Sequence, residues 1–349
     1  MRLLCLLAAA GAAAIAQPES DVLFRQTFET GAAGWIAFGP GGVVRAEHGA
    51  LSLDYNFGAK QIVAAILPAP PAFARMRRIR FRAKSDYDTA LGVFLSEKQP
   101  GGGRYFAWFW SPANTWQQID LAPADFAVSD GPQDPVDADG KLDIDAVESI
   151  GVVDVSQIFA QAPANPDIPI VINRPAGAHT MQLADFQLLS SAAPAAPVGV
   201  VDRFDREFLK WITLGGMNLK LGASDNPLHM RALQATYRQA EGQLPVLMRR
   251  LSNFDLSKAT RLSFDIASER ESTLVLSLET KTGARFTLQI YPPGAREVFH
   301  VGLKLADFQG QGKLDPAQLK SLSILDATAA AGGAEGSNTI WIGNVEMQP

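Results

Sequence analysis

Apolar and polar residues alternate one by one through most of the chain. Leu274, Leu276 and Leu278 interleave with Val275, Ser277 and Glu279; Phe286, Leu288 and Ile290 with Thr287, Gln289 and Tyr291; Ile79 and Phe81 with Arg78, Arg80 and Arg82. A period of two sends every second side chain to one side of an extended strand, so each run describes a strand with one face in a core. Helical spacing is confined to about one turn after Asp143 (144–147) and after Asp315 (316–319). There each Asp reads as an N-cap, and Pro316 takes the favoured first helical position. The pattern predicts an all-β protein of antiparallel strands, about eight to a unit, packed as β-sandwiches.

The pattern occurs twice. Phe28-Glu29 with Trp35 matches Phe204-Asp205 with Trp211, and Leu51 and Tyr55 match Leu233 and Tyr237. Ile79 through Leu95 aligns with Leu262 through Leu278, Ala124-Asp125-Phe126 with Ala306-Asp307-Phe308, Gly140 through Asp143 with Gly312 through Asp315, and Met181 and Leu183 with Ile340 and Ile342. Anchors in one order over both halves indicate a tandem repeat of whole domains. Between them lies an uncharged Ala/Pro linker at 191–199, which divides the chain into residues 17–190 and 200–349. The first domain is the longer, chiefly through an acidic insertion before Gly140 and a proline-rich one between Val155 and Thr180.

Composition narrows the partners. Of 349 residues, 31 are Lys or Arg and 36 Asp or Glu, a net charge of −5 that argues against nucleic acid. The one cysteine, Cys5, excludes a disulfide framework, and His48, His179, His229 and His300 match no positions between the repeats. Cys5 lies in an apolar run after Arg2 that ends Ala14-Ile15-Ala16, the pattern of a signal peptide over residues 1–16. The run falls short of the ~20 residues of a membrane span. A secreted or periplasmic protein is expected. Gly101-Gly102-Gly103 joins two strands and opens no helix, so it reads as a hairpin turn rather than a phosphate loop.

The order Phe28-Glu29, Trp35, alternating strands, Trp116-Gln117-Gln118-Ile119-Asp120-Leu121, Ala124-Asp125-Phe126, a capped turn and a last strand holding Asp185 resembles the galactose-binding-like jelly rolls of carbohydrate-binding modules. The resemblance implies a non-catalytic module on a polysaccharide or glycan. It also implies a structural Ca2+ near the termini of each domain, held by Glu29 with Asp185 and by Asp205, where the last strand offers only Asn344. The acidic insertion itself matches a calcium loop only at Asp137, Asp139 and Gly140, and reads as a solvated turn.

Aromatic residues carry the candidate ligand chemistry. Aligning the halves from Asp125 and Asp307 sets Phe106 and Trp108 with the inward Leu288 and Ile290. That leaves Tyr105 and Phe109 outward beside Arg80, Arg82 and Phe94, and gives Tyr291 and Trp341 the same role in the second domain. Such a face is either a glycan platform or a surface covered by loops or by the other domain. An envelope structural or protein-interaction module, and a glycoside hydrolase with an unrecognised site, stay open as alternatives.

Overall fold

The computed structural model describes residues 21–57, 62–129, 131, 134–161, 170–194 and 197–349; the proposed signal peptide lies outside them. Four antiparallel six-stranded sheets make up the described chain. Two contain only strands between Val22 and Leu189, and two only strands between Val200 and Gln348, so the all-β tandem of sandwiches expected from the alternation is what forms, in the jelly-roll form the resemblance implies and with twelve described strands to a unit in place of about eight. In each unit one sheet is centred on the long last strand, Gly177–Leu189 or Gly336–Gln348. The opposing sheet runs through Thr89–Glu97 and Arg104–Ser111 in the first domain, and through Leu274–Thr280 and Arg285–Ile290 in the second.

The repeated anchors have structural reasons. Trp35 and Trp211 are buried, as are Phe81 and Phe264. Tyr55 donates its hydroxyl to Asp154, at 2.7 Å, and Tyr237 donates to Asp326. Both carboxylates are buried and also accept a backbone N–H two residues on, from Ser156 and Thr328. Burial pushes the Asp154 carboxyl above the ordinary range, opposed by hydrogen bonds from Tyr87, Tyr55 and Thr89 that favour its charged form. The last strands each bulge at a left-handed residue, Asp185 and Asn344 (φ 49° in both), a conformation that Asp and Asn tolerate. Of the two expected caps, Asp315 accepts from the Ala317 N–H, whereas Asp143 uses no side-chain cap and donates its own N–H to Glu97. The helical turns they precede are single 3-10 turns, Ile144–Ala146 and Pro316–Gln318.

One expectation is inverted. Tyr105, Ala107 and Phe109 pair with Leu95, Val93 and Leu91, as Phe286, Leu288 and Ile290 pair with Leu278, Leu276 and Leu274. Matching residues are therefore 183 apart on one strand (Leu91, Leu274) and 181 apart on the next (Phe109, Ile290), because the first-domain hairpin is longer. An alignment carried back from Asp125 misses the register by one residue, which exchanges the two faces of a strand. Tyr105 and Phe109, expected outward, are 2% and 0% exposed in the first core. Phe106 and Trp108, expected in that core, lie on the outer face of the sheet and pack against the second domain.

That outer face joins the sandwiches. The Trp108 indole N–H donates to the Lys210 carbonyl at 3.2 Å, and the Arg250 guanidinium lies 5.7 Å from its ring centroid. The Trp110 backbone N–H reaches the Leu209 carbonyl at 2.9 Å, and Phe208 meets Phe109 edge-on at the rim of the first core. Asp125 takes Lys210 and Arg206 from the second domain, with Arg206 Nη1 at 2.9 Å. Desolvation pulls the Lys210 ammonium down to about 8 against the attraction of Asp125, and Lys210 and Arg206 together outweigh the burial of Asp125 and hold its carboxyl low.

A polar cleft between the sandwiches

The proline-rich insertion of the first domain crosses to the second. Ile170 bridges Leu244, the Val171 N–H donates to the Leu244 carbonyl and the Asn173 N–H to the Leu214 carbonyl. Gly215 permits this approach, since a Cβ there would stand 2.5 Å from the Asn173 nitrogen. Insertion, turn and sheet edge together bound a cleft of about 360 Å³.

The cleft grades from open to dry. Thr236 and Gly216 are exposed at its mouth; Asp88, Asn173 and Asn218 are half-buried in its wall; Trp110, Ser156 and Thr213 are buried at its base. Asn218 of the second domain donates to Asp88 of the first at 2.7 Å, while the other carboxylate oxygen accepts the Ala113 N–H at 2.8 Å. The Trp110 indole N–H is buried without a hydrogen-bond partner among the described residues. An unpaired buried donor costs free energy unless something accepts from it. Amides, hydroxyls, one carboxylate and an indole make a set of donors and acceptors beside an aromatic surface, which suits a polyhydroxylated ligand. Asp88 is the one carboxylate among the lining residues, whereas hydrolysis by a carboxylate pair needs two.

The residues expected to bind ligand are not brought together. Besides the buried Tyr105 and Phe109, Phe94 lies outside the first core but flat on Gly151, where a Cβ would stand 2.0 Å from the ring, and beneath Arg104. Trp341 points out of the second core, yet it is 4% exposed, covered by Leu228 and Met230 and by the Arg296 guanidinium 5.1 Å from its centroid. Arg80 is bound to Asp120 at 2.6 Å. Arg82 is exposed, and Tyr291 is 63% exposed on the second domain.

At the expected calcium sites, Asp185 is already engaged by side-chain donors, while Glu29 and Asp205 are exposed. Asp185 accepts from Arg25 at 2.8 Å on one oxygen and from Gln187 at 2.8 Å on the other, Glu29 is exposed beside Gly49, and Asp205 is exposed. No group of three or more His, Cys, Asp or Glu that could hold a metal occurs among the described residues. A carboxylate with both oxygens given to side-chain donors does not fit Ca2+, which takes six to eight oxygen ligands. In the acidic insertion, Asp137 accepts from the Tyr105 hydroxyl at 2.7 Å and from the Gly140 N–H at 2.6 Å, so this loop pins the hairpin end of the sheet.

The cleft residues Asp88 and Asn173 escape sequence reading because they lie in connections, where there is no alternation to read, and Asn218 because alternation sets it on the outward face of its edge strand without showing what that face meets. Asn173 had one available signal: it falls in a segment that the second repeat lacks.

No family model matches the chain, and no curated protein does. Among solved structures, the chain is similar to a family 11 carbohydrate-binding module from Clostridium thermocellum in complex with a β-1,3-1,4-mixed-linked tetrasaccharide: 15% identity over 48% of this chain and 94% of that one, TM-score 0.35. It is similar to a tandem of two family 22 modules from Paenibacillus barcinonensis Xyn10C at 12% identity over 93% and 97%, TM-score 0.31. An agarase matches at 10% identity over 44% of this chain and 26% of its own, TM-score 0.34.

Proposed function

We propose that this chain is an exported, non-catalytic glycan-binding protein whose two sandwiches act as one unit, with the sugar held in the cleft between them. The observation that carries the reading is a buried Trp110 indole N–H, without a hydrogen-bond partner among the described residues, on a residue lining a cleft with Asp88, Asn173 and Asn218. Sugar hydroxyls would accept from the indole and exchange hydrogen bonds with the amides and Asp88, while a ring's C–H face meets Trp110 and Met217. The single lining carboxylate supports binding over hydrolysis. No helix among the described residues is long and apolar enough to cross a membrane.

Titration calorimetry with neutral oligosaccharides, the β-1,3-1,4-mixed-linked tetrasaccharide among them, tests this. Asp88→Ala and Asn173→Ala are expected to weaken binding by about tenfold each, the worth of one hydrogen bond to a charged or buried group. Tyr291→Ala, far along the second domain's sheet, should leave it unchanged. Binding that is insensitive to both cleft substitutions, in proteins of normal melting temperature, would refute the assignment.

A further inference from the structure

A different surface carries unmatched charge. On the outer face of the first domain's terminal-strand sheet, Arg78, Arg80, Arg82 and Lys84 project from the strand Arg78–Ser85, next to the strand Gln117–Leu121. Most cations of this face have an acid. Arg78 and Arg80 share Asp120, and Arg45 pairs with Asp54. Arg82 and Lys84 have no carboxylate partner among the described residues. What they meet is an aromatic ring: the Arg82 guanidinium stands 5.2 Å, and the Lys84 ammonium 5.0 Å, from the ring centroid of Trp116, itself 36% exposed.

This arrangement is unusual for a folding device. Two like charges are gathered at one ring in a protein of net charge −5, and an exposed cation–π contact contributes only about 0.5–1 kcal/mol. Its consequence is positional. The indole holds both cationic heads on one patch, and with their rotamers already restricted they can be bridged by an anion at a smaller entropic cost. Gln118 faces Arg82 across the strand pair and Gln182 faces Lys84, so the patch is bordered by amides that serve hydroxyl groups.

We infer that Arg82, Lys84 and Trp116 form a second site, separate from the cleft, which takes the carboxylate of a uronate residue in an acidic polysaccharide. The planar Arg82 fork and the Lys84 ammonium receive the carboxylate, and the exposed part of the Trp116 ring meets the apolar C–H side of the sugar. Charge complementarity selects a uronate over a neutral sugar, and the ring distinguishes a sugar from a bare polyanion. The aromatic that belongs with the arginine face is thus Trp116, immediately before the strand that pairs with Arg82, in place of the buried Tyr105 and Phe109.

Affinity electrophoresis of the full chain through gels containing alginate or polygalacturonate tests the site, with a neutral mixed-linked glucan and dextran sulfate as comparisons. Retardation by the two uronates is expected, falling by about tenfold in apparent affinity in Arg82→Gln and in Lys84→Gln, as loss of one charge-assisted contact implies. Trp116→Ala should weaken it similarly, Trp116→Phe less, and added salt should weaken it throughout. Melting temperatures of these surface variants should match wild type. The cleft variant Asp88→Ala should bind uronates normally, which keeps this site distinguishable from the cleft. Absence of uronate retardation, retardation unaffected by Trp116→Ala, or equal retention on dextran sulfate independent of the ring would overturn the assignment.

Discussion

Truncation of Phe109 to alanine is expected to destabilise the protein by about 3–5 kcal/mol, the cost of removing a large ring from a packed core. Phe109 is fully buried, edge-on to Phe81 at 6.0 Å and to Phe208 of the second domain at 6.1 Å. The cavity would be walled by rigid neighbours, so little of it can collapse. Tyr291→Ala, one position beyond Phe109's equivalent Ile290, should change stability by no more than about 0.5 kcal/mol, because Tyr291 is 63% exposed and its hydroxyl reaches only Gln289. Chemical denaturation of the two variants checks the register directly. Were Phe109→Ala as mild as Tyr291→Ala, the strand would have the opposite face inward.

Asp125→Ala should be comparably severe, at about 3–5 kcal/mol, since it strips the partner from a buried cation and leaves that charge uncompensated. Asp125 is the one acid shared by Arg206 and Lys210, and its second role, accepting the Ala122 N–H at 2.8 Å, is lost with it. The variant also carries a pH signature. Lys210 titrates at about 8 in the folded protein, below the ordinary 10.5, so between those values the unfolded chain binds more protons and stability rises with pH. Without Asp125 to attract its charge, Lys210 should titrate lower still. The deficit of the variant relative to wild type should therefore shrink as pH rises toward about 8, where Lys210 loses its proton in the variant but keeps it in wild type, and stay level from 8 to 10, where it is neutral in both folded proteins. Denaturant melts from pH 6 to 10 measure it; a deficit that instead grows between pH 8 and 10 would show that Lys210 is solvated in the variant.

These two residues mark where sequence reading succeeded and where it stopped. Alternation located the strands, and the repeat identified Trp35 with Trp211 and Phe81 with Phe264 as core pairs, because burial of the same face in two copies leaves the same pattern twice. The face of Tyr105 to Trp110 was not legible. That strand is aromatic on both sides since it separates two apolar surfaces, the core of its own domain and the flank of the next, so alternation loses its contrast. A hairpin of different length in the two copies then shifted the register by one. Trp341 was read on the correct side of its strand, but no local pattern announces that Leu228 and Met230 fold over it. Asp185 and Asn344 correspond because both occupy a bulge in the left-handed region, a backbone demand that looks in sequence like a shared ligand position.

The cleft between the sandwiches is the centre of the functional account, and Trp110 reports on it most directly. In amide-selective NMR of the full chain, with the indole resonance assigned by Trp110→Phe, titration with a neutral oligosaccharide that the protein binds should shift the Trp110 indole N–H, which gains an acceptor, while the Trp116 indole stays in place. Saturating binding that leaves the Trp110 indole unmoved would place the sugar elsewhere and contradict the cleft as the glycan site.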